Sequence, residues 1–166
     1  MRAAHKAFSR LVCTGSPHIY TDTCFRLGFI LRHTSELRKN HLRVKITNSV
    51  LRELHIKRQL HWADRKQQEI RKRGDLFELL PRSAAERKSR VYADADFEQR
   101  FRDDVESPKV FLTADRKLAQ KIAALPSPPT IFLEYTPKHS CPHSTGVILW
   151  NDYMKLKSDE CQMSVR

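Results

Sequence analysis

The chain has 166 residues, of which 40% are hydrophobic and 30% are charged, with only 4 glycines and 8 prolines. This length supports one domain with a single core, and this composition excludes a collagen-like, low-complexity or wholly disordered chain. Lysine and arginine number 31 against 19 aspartates and glutamates, and the net charge of +12 predicts a polyanionic partner, either nucleic acid or an anionic membrane surface. No apolar run approaches the roughly 18 residues that cross a bilayer, so we expect no membrane insertion.

Residues 1–17 are basic and lack acids, since the first acidic residue of the chain is Asp22. Arg2, Lys6 and Arg10 follow one another at a spacing of four and therefore share one face of a helix. Two interpretations of this segment stay open. It is either a mitochondrial transit peptide or a basic tail that contacts RNA.

The predicted elements alternate between strands and helices along the chain. Strands are predicted at 18–21, 44–47, 110–113 and 130–133, with one more strand or edge segment at 147–150. Helices are predicted at 24–32, at 50–73 after a cap at 47–49, from Asp94 or Asp96 with an apolar face of Phe97, Phe101 and Val105, and at 115–125. The type of the apolar run 76–80 is open, and 81–90 is predicted to be a loop. Such alternation predicts an α/β fold with a parallel sheet covered on both faces.

Two aspartates follow predicted strands at their carboxyl ends. Asp22 comes directly after the first strand, and Asp115 lies two residues beyond the strand at 110–113. In a parallel sheet the functional crevice lies at this edge. The sequence therefore predicts that these two carboxylates, from distant parts of the chain, meet at one site.

Four short motifs carry acidic residues in a fixed order. They are Tyr20-Thr21-Asp22-Thr23, Val50-Leu51-Arg52-Glu53-Leu54, Tyr92-Ala93-Asp94-Ala95-Asp96 and Leu112-Thr113-Ala114-Asp115-Arg116-Lys117-Leu118. Together they resemble a PIN domain, the metal-dependent ribonuclease fold, whose pattern is an Asp after the first strand, a Glu in a V-x-x-E-L helix, an Asp that opens a later helix, and a T-x-D-x-x-L motif. The last two motifs, with the proline turn at 126–129, are similar to the nucleolar PIN proteins of the small-subunit processome.

The resemblance implies a three-layer PIN-like (Rossmann-like) fold, in which helices flank a central parallel sheet, over residues 18–135. Residues 136–166 are then a C-terminal extension that packs on the domain or trails from it. His139, Cys141 and His143 alternate in this extension. No fourth ligand lies at a usual zinc spacing, so we predict a polar loop there.

The resemblance further implies an acidic site for one or two Mg²⁺ or Mn²⁺ ions, with catalytic carboxylates at Asp22, Glu53, Asp94, Asp96 and Asp115. The expected metal ligands among them are Asp22, Glu53, Asp94 and Asp115. Because Ala95 stands where those relatives have a second Asp, either Asp94 or Asp96 fits as the third carboxylate. Carboxylates without thiolates or imidazoles are hard oxygen ligands that suit these ions. Such ions activate water and neutralise charge on the attacked phosphate, and the family leaves a 5′-phosphate and a 3′-hydroxyl.

Each acid also has an ordinary structural interpretation. Asp22 and Asp115 fit helix N-caps, which are common just after a strand. Glu53 fits a surface ion pair with Lys57, four residues further along a helix. The expected supports for a carboxylate or a metal-bound water are Thr23 and Thr113.

Residues 57–90 carry eleven Lys or Arg against five Asp or Glu, which is half of the positive excess of the chain. His61 and Trp62 lie among them, and an aromatic ring can stack on an unpaired base. Because its neighbours do not balance this charge, we expect the segment to bind RNA backbone. The expected RNA-binding residues are Lys57, Arg58, Arg65, Lys66, Arg71, Lys72, Arg73, Arg87, Lys88 and Arg90.

Resemblance and charge together lead us to expect a metal-dependent endoribonuclease of PIN type that acts on RNA in rRNA processing or ribosome assembly. The alternative is a catalytically inactive PIN scaffold, an RNA-binding protein of the ribosome or of an assembly particle. The expected partners are RNA, with rRNA foremost, and other proteins of a ribonucleoprotein assembly. The compartment follows from residues 1–17: the mitochondrion if they are a transit peptide, and the nucleolus if they are not.

Overall fold

A computed structural model of the protein describes residues 2–83, 92–105, 107–136 and 145–163. Its strands are β1 (His18–Thr21), β2 (Val44–Ile46), β3 (Phe77–Leu79), β4 (Lys109–Thr113), β5 (Thr130–Tyr135) and β6 (Gly146–Leu149). Within the described ranges they form one six-stranded sheet in the order β3-β2-β1-β4-β5-β6. Strands β1 to β5 run parallel, and β6 pairs antiparallel with β5.

Helices flank this sheet. They are α1 (Arg2–Gly15), α2 (Leu27–Arg32), α3 (Thr34–Lys39), α4 (Asn48–Ile56), α5 (His61–Lys72), α6 (Ala93–Asp103), α7 (Arg116–Ala123) and α8 (Trp150–Met163). The protein is therefore α/β, with a mostly parallel central sheet between helices, consistent with a three-layer Rossmann-like fold. The predicted fold class is confirmed.

Strand β4 lies in the middle of the sheet, where β1 and β5 pair on its two sides. Its residues are buried throughout, as a parallel strand covered on both faces requires. Phe111 of β4 packs against Phe97 and Phe101, which lie on one face of α6 at a spacing of four. These aromatic contacts hold α6, and with it the acidic first turn of that helix, against the sheet.

Helix α1 is part of the core, not a tail preceding residue 18. Its apolar side chains Ala4, Phe8 and Val12 are buried, while the basic side chains on the opposite stripe are exposed. Phe8 makes edge-to-face contacts with Phe29 of α2 and Phe132 of β5. The predicted domain boundary at residue 18 is corrected accordingly, because the apolar stripe of α1 completes the packing of the domain.

The helix predicted at 50–73 is interrupted. Helix α4 ends at Ile56 and α5 begins at His61. Leu60, the last residue before α5, is exposed at the break. The helix predicted at 24–32 begins only at Leu27, as α2. Val105 was predicted on the apolar face of the helix that starts at Asp94 or Asp96, but it is exposed and lies beyond the end of α6.

The C-terminal extension packs on the domain rather than trailing from it. Strand β6 adds an antiparallel edge to the sheet, and Tyr153 of α8 is buried against Tyr135. The sequence pattern at His139, Cys141 and His143 lies outside the described residues. In the part of the chain that is described, no helix is long and apolar enough to span a bilayer.

Candidate active site

The carboxyl ends of β1 and β4 lie side by side and bring two of the expected acids to one edge of the sheet. Asp22, directly after β1, donates its backbone N–H to Leu112 O at 2.9 Å. The hydroxyl of Thr113, the last residue of β4, donates to Asp22 Oδ2 at 2.9 Å. The Asp22 carboxylate is therefore fixed to the end of the neighbouring strand, and Thr113 supports a carboxylate as the sequence predicts.

Asp22 is buried, with 4% of its surface exposed. Burial raises the pKa of its carboxyl, while the Lys66 ammonium and the bond from Thr113 act in the opposite direction. Asp22 is no helix N-cap, because the residue in that position before α2 is Arg26. Its carboxylate is held instead by the Thr113 hydroxyl and by the backbone N–H of Thr23.

Glu53 projects from α4 toward the same edge. Its Oε2 accepts from the Thr23 hydroxyl at 2.8 Å, and its Oε1 accepts from the backbone N–H of Ala93 at 3.2 Å. Glu53 thus joins the segment after β1 to the start of α6. Among the described residues it forms no ion pair with Lys57, so the predicted surface pair is replaced by these two bonds.

Asp94 and Asp96 have different surroundings. Asp96 is fully buried and accepts from Ser49 Oγ at 2.9 Å and from Arg100 Nε at 3.0 Å. Asp94 is exposed, and its pKa is raised by partial burial and then by the negative charges of Asp22, Asp115 and Glu53. The negative charges that act on Asp94 are therefore those of the other expected ligands, with Lys121 acting in the opposite direction, whereas the Asp96 carboxylate is engaged by Ser49 and Arg100.

Asp115 caps helix α7. Its Oδ1 accepts from the backbone N–H groups of Lys117 at 2.7 Å and Leu118 at 3.0 Å, which confirms the N-cap interpretation. The backbone N–H of Asp115 donates to Thr113 Oγ1 at 3.0 Å. One threonine hydroxyl thus links the two aspartates. No described residue bonds to the second oxygen of Asp115, so capping leaves one oxygen of this exposed carboxylate for a cation.

The donor set fits a hard divalent cation. Carboxylate oxygens are the ligands of Mg²⁺ and Mn²⁺, and the like charges around Asp94 are of the kind that a cation relieves. Among the side chains that the structure describes, no group of three or more His, Cys, Asp or Glu residues converges closely enough to hold one ion together. Since Mg²⁺ keeps several waters and usually takes only one or two carboxylates directly, a hydrated ion suits described acids that do not converge as a group of three.

Lys66 has a structural position that the sequence did not indicate. Its ammonium group is buried and donates to the backbone carbonyls of Asp22 at 2.7 Å, Thr23 at 3.0 Å and Phe25 at 2.7 Å. Burial lowers the pKa of Lys66 to about 8, and the charge of Asp22 acts against this. All three ammonium hydrogens are used, so the expected contact between Lys66 and RNA does not fit the structure.

The other expected RNA-binding residues are mostly accessible. Lys57 and Arg73 are half-buried, and Arg73 forms an ion pair with Glu69 at 2.7 Å. The residues with exposed side chains are Arg58, Arg65, Arg71 and Lys72. Arg87, Lys88 and Arg90 lie outside the described residues.

Comparisons of the chain with models of protein families, with curated proteins and with solved structures find no match.

Proposed function

We propose that this chain is a metal-dependent endoribonuclease of PIN type, acting on RNA in rRNA processing or ribosome assembly. The observation that carries the proposal is the acidic edge, where Thr113 links Asp22 to Asp115 and where Glu53 bonds to Thr23 and to the start of α6 beside Asp94. The pKa of Asp94 is raised by partial burial and then by the charges of the other three acids, in keeping with this arrangement. One or two Mg²⁺ or Mn²⁺ ions held by these residues would supply an activated water and neutralise charge on the attacked phosphate.

The residues around the acids hold them in fixed positions. Thr113 orients Asp22, Thr23 and the Ala93 amide orient Glu53, and capping orients Asp115. Fixed carboxylates lose little freedom when a cation binds, which favours affinity and positions the substrate phosphate. Asp94 lacks such bonds among the described residues and stays accessible at the start of α6, where it can adjust to an incoming ion.

RNA binding is supported by charge. The chain has a net charge of +12, and Arg58, Arg65, Arg71 and Lys72 present exposed cations on or next to α5. Such cations bind phosphates by releasing counterions, without reading the base sequence. These residues accordingly provide affinity for the RNA backbone, and the proposed partners are rRNA and other proteins of a ribonucleoprotein assembly.

The second candidate is an inactive scaffold that binds RNA in the ribosome or in an assembly particle. The absence of a converged group of three ligands among the described side chains favours it. So does Lys66, whose buried ammonium already places positive charge beside Asp22. Fold alone does not carry activity, so turnover must be measured.

The proposed compartment is the mitochondrion, with the nucleolus as the alternative. Because Phe8 and Val12 of α1 belong to the core, an import signal in residues 1–17 would have to be retained in the folded protein. Import of residues 1–17 fused to a reporter distinguishes the two compartments.

The test of activity is cleavage of a labelled single-stranded RNA by the full chain in Mn²⁺ and in EDTA. If the chain is a nuclease, cleavage should depend on Mn²⁺ and should disappear in the double variant Asp22→Asn, Asp115→Asn. The matched control is Asp103→Asn, Asp159→Asn, which removes the same charge at exposed positions away from the acidic edge. RNA binding without cleavage, equal in wild type and both variants, would establish the scaffold instead.

A further inference from the structure

A groove lies between helix α5 and the segment 24–31, with a volume of about 680 Å³. One wall starts at Cys24, two residues after Asp22, so the groove begins beside the acidic edge. The ammonium of Lys66 ties this wall to α5, because it donates to the carbonyls of both Asp22 and Phe25. The groove and the acidic edge are thus held together through one buried side chain.

The floor of the groove is apolar, and its rim carries an aromatic ring. Phe25, Leu27 and Leu31 line one side, and Trp62 at the start of α5 lines the other. Trp62 has 43% of its surface exposed, which is unusual for an indole that packing alone would hold. An exposed ring beside an apolar floor offers a flat surface on which a planar group can stack.

The charge at the groove is positive. Arg65 is exposed and lies one turn from Trp62 on the same face of α5. Its charge interacts with that of Glu69, but the Glu69 carboxylate is bonded to Arg73 at 2.7 Å. Of the other charged side chains at the groove, Arg73 pairs with Glu69, Arg26 pairs with Glu134, and the Lys66 ammonium donates to three backbone carbonyls. Arg65 is therefore the cation left for an anionic ligand.

We propose that this groove binds one unpaired nucleotide of a single-stranded RNA, with its base against Trp62 and its phosphate at Arg65. A planar base with an attached phosphate matches an aromatic ring, an apolar floor and an exposed guanidinium. A base within a duplex is already stacked and cannot enter a recess between α5 and the segment 24–31. The proposal rests on the proposed function and narrows its substrate class to RNA with unpaired nucleotides next to the cleaved phosphate.

The test is binding of a fluorescein-labelled single-stranded RNA decamer in EDTA, where cleavage does not occur. Trp62→Ala should weaken binding about tenfold, since stacking on an aromatic side chain contributes that order of affinity per base. Trp62→Phe keeps a ring and should restore most of the affinity. The matched control is Val105→Ala, which truncates an exposed apolar side chain remote from the groove and should change nothing.

The salt dependence of binding by an Arg65 variant and the affinity for duplex RNA test the proposal independently. Arg65→Gln should weaken binding and reduce the slope of log affinity against log salt by about 0.7, the value for one phosphate contact on a single strand. The control Arg102→Gln, also exposed, should leave the slope closer to that of wild type. Trp62→Ala should have no effect on a duplex of the same sequence.

Failure of the groove and failure of the nuclease are distinguishable. If wild type and Trp62→Ala bind the decamer with equal affinity and metal-dependent cleavage is intact, the proposal for the groove is overturned and the proposed nuclease activity stands. If Trp62→Ala loses affinity for the decamer as expected but wild type cleaves no RNA, the proposal for the groove is supported and the proposed nuclease activity is overturned. An equal loss for decamer and duplex also overturns the groove, because Trp62 would then contribute to folding or to general charge and not to an unpaired base.

Discussion

The ammonium group of Lys66 donates a hydrogen bond of 2.7 Å to the backbone carbonyl of Asp22, 44 positions earlier in the chain. Further bonds from the same group to Thr23 and Phe25 make helix α5 the support of the segment that follows β1. The first carboxylate of the candidate site and the wall of the groove therefore depend on one buried lysine.

Replacement of Lys66 by methionine should destabilise the protein. It leaves three carbonyl oxygens without their donor, at about 1–3 kcal/mol each, and this outweighs the relief of no longer burying a charge. We expect the free energy of unfolding in urea to fall by about 2 kcal/mol. Lys72→Met, on the exposed face of the same helix, should change it by less than about 0.5 kcal/mol. Equal stability of the two variants would mean that Lys66 does not support the segment.

Asp94 and Asp96 should behave in opposite ways when they are changed. Asp96→Ala removes the buried partner of Arg100 and of Ser49, and we expect a loss of about 3 kcal/mol in the free energy of unfolding. Asp94→Asn removes a charge repelled by Asp22, Asp115 and Glu53, so stability should stay equal or rise. Thermal melting measures both. If Asp94→Asn were the more destabilising of the two, the assignment of Asp94 as the metal-facing acid would be contradicted.

Helix α1 should be required for stability. Phe8→Ala removes a fully buried ring that contacts Phe29 and Phe132, and such truncations cost about 3–5 kcal/mol. The control is Lys6→Ala, on the exposed stripe of the same helix. Urea denaturation of the full chain compares them. A Phe8→Ala protein as stable as wild type would restore the interpretation of residues 1–17 as a tail.

The loss of stability at acid pH should depend on Asp104. Burial raises the pKa of this carboxyl. Hydrogen bonds from His18 at 3.0 Å and from Ser107 lower the pKa by more than burial raises it, so the net pKa lies below the ordinary 3.8. A carboxyl with a lowered pKa in the folded state stabilises above 3.8, and this stabilisation is lost as the pH falls through the folded value. Between pH 5 and pH 3, the melting temperature of wild type should therefore fall more steeply than that of Asp104→Asn. Parallel profiles would show that the pair with His18 contributes nothing.

Much of the sheet could be predicted because buried parallel strands are short apolar runs. Residues 110–113 are such a run, and the structure has β4 there. The two aspartates at the strand ends followed from the same pattern, since carboxyl ends of neighbouring parallel strands share an edge. Thr113 beside Asp22 was predictable for the same reason.

Other features depend on tertiary contacts that have no local signal. Lys66 lies in a basic, hydrophilic helix and looks like a surface residue, because only the fold reveals that three carbonyls surround its ammonium. The core role of Phe8 was hidden by the basic composition of α1. The break between α4 and α5 falls at 57–60, where the sequence has no glycine or proline to mark the end of a helix.

The central claim is that the acids at the edge of β1 and β4 act together on a cation, and Mn²⁺ titration of the full chain followed by electron paramagnetic resonance tests it most directly. We predict that wild type and Asp103→Asn, Asp159→Asn take up one or two Mn²⁺ ions per chain, and that Asp22→Asn, Asp115→Asn takes up none over the same range. The same Mn²⁺ uptake by all three proteins would contradict the account, because the ion would then be bound elsewhere.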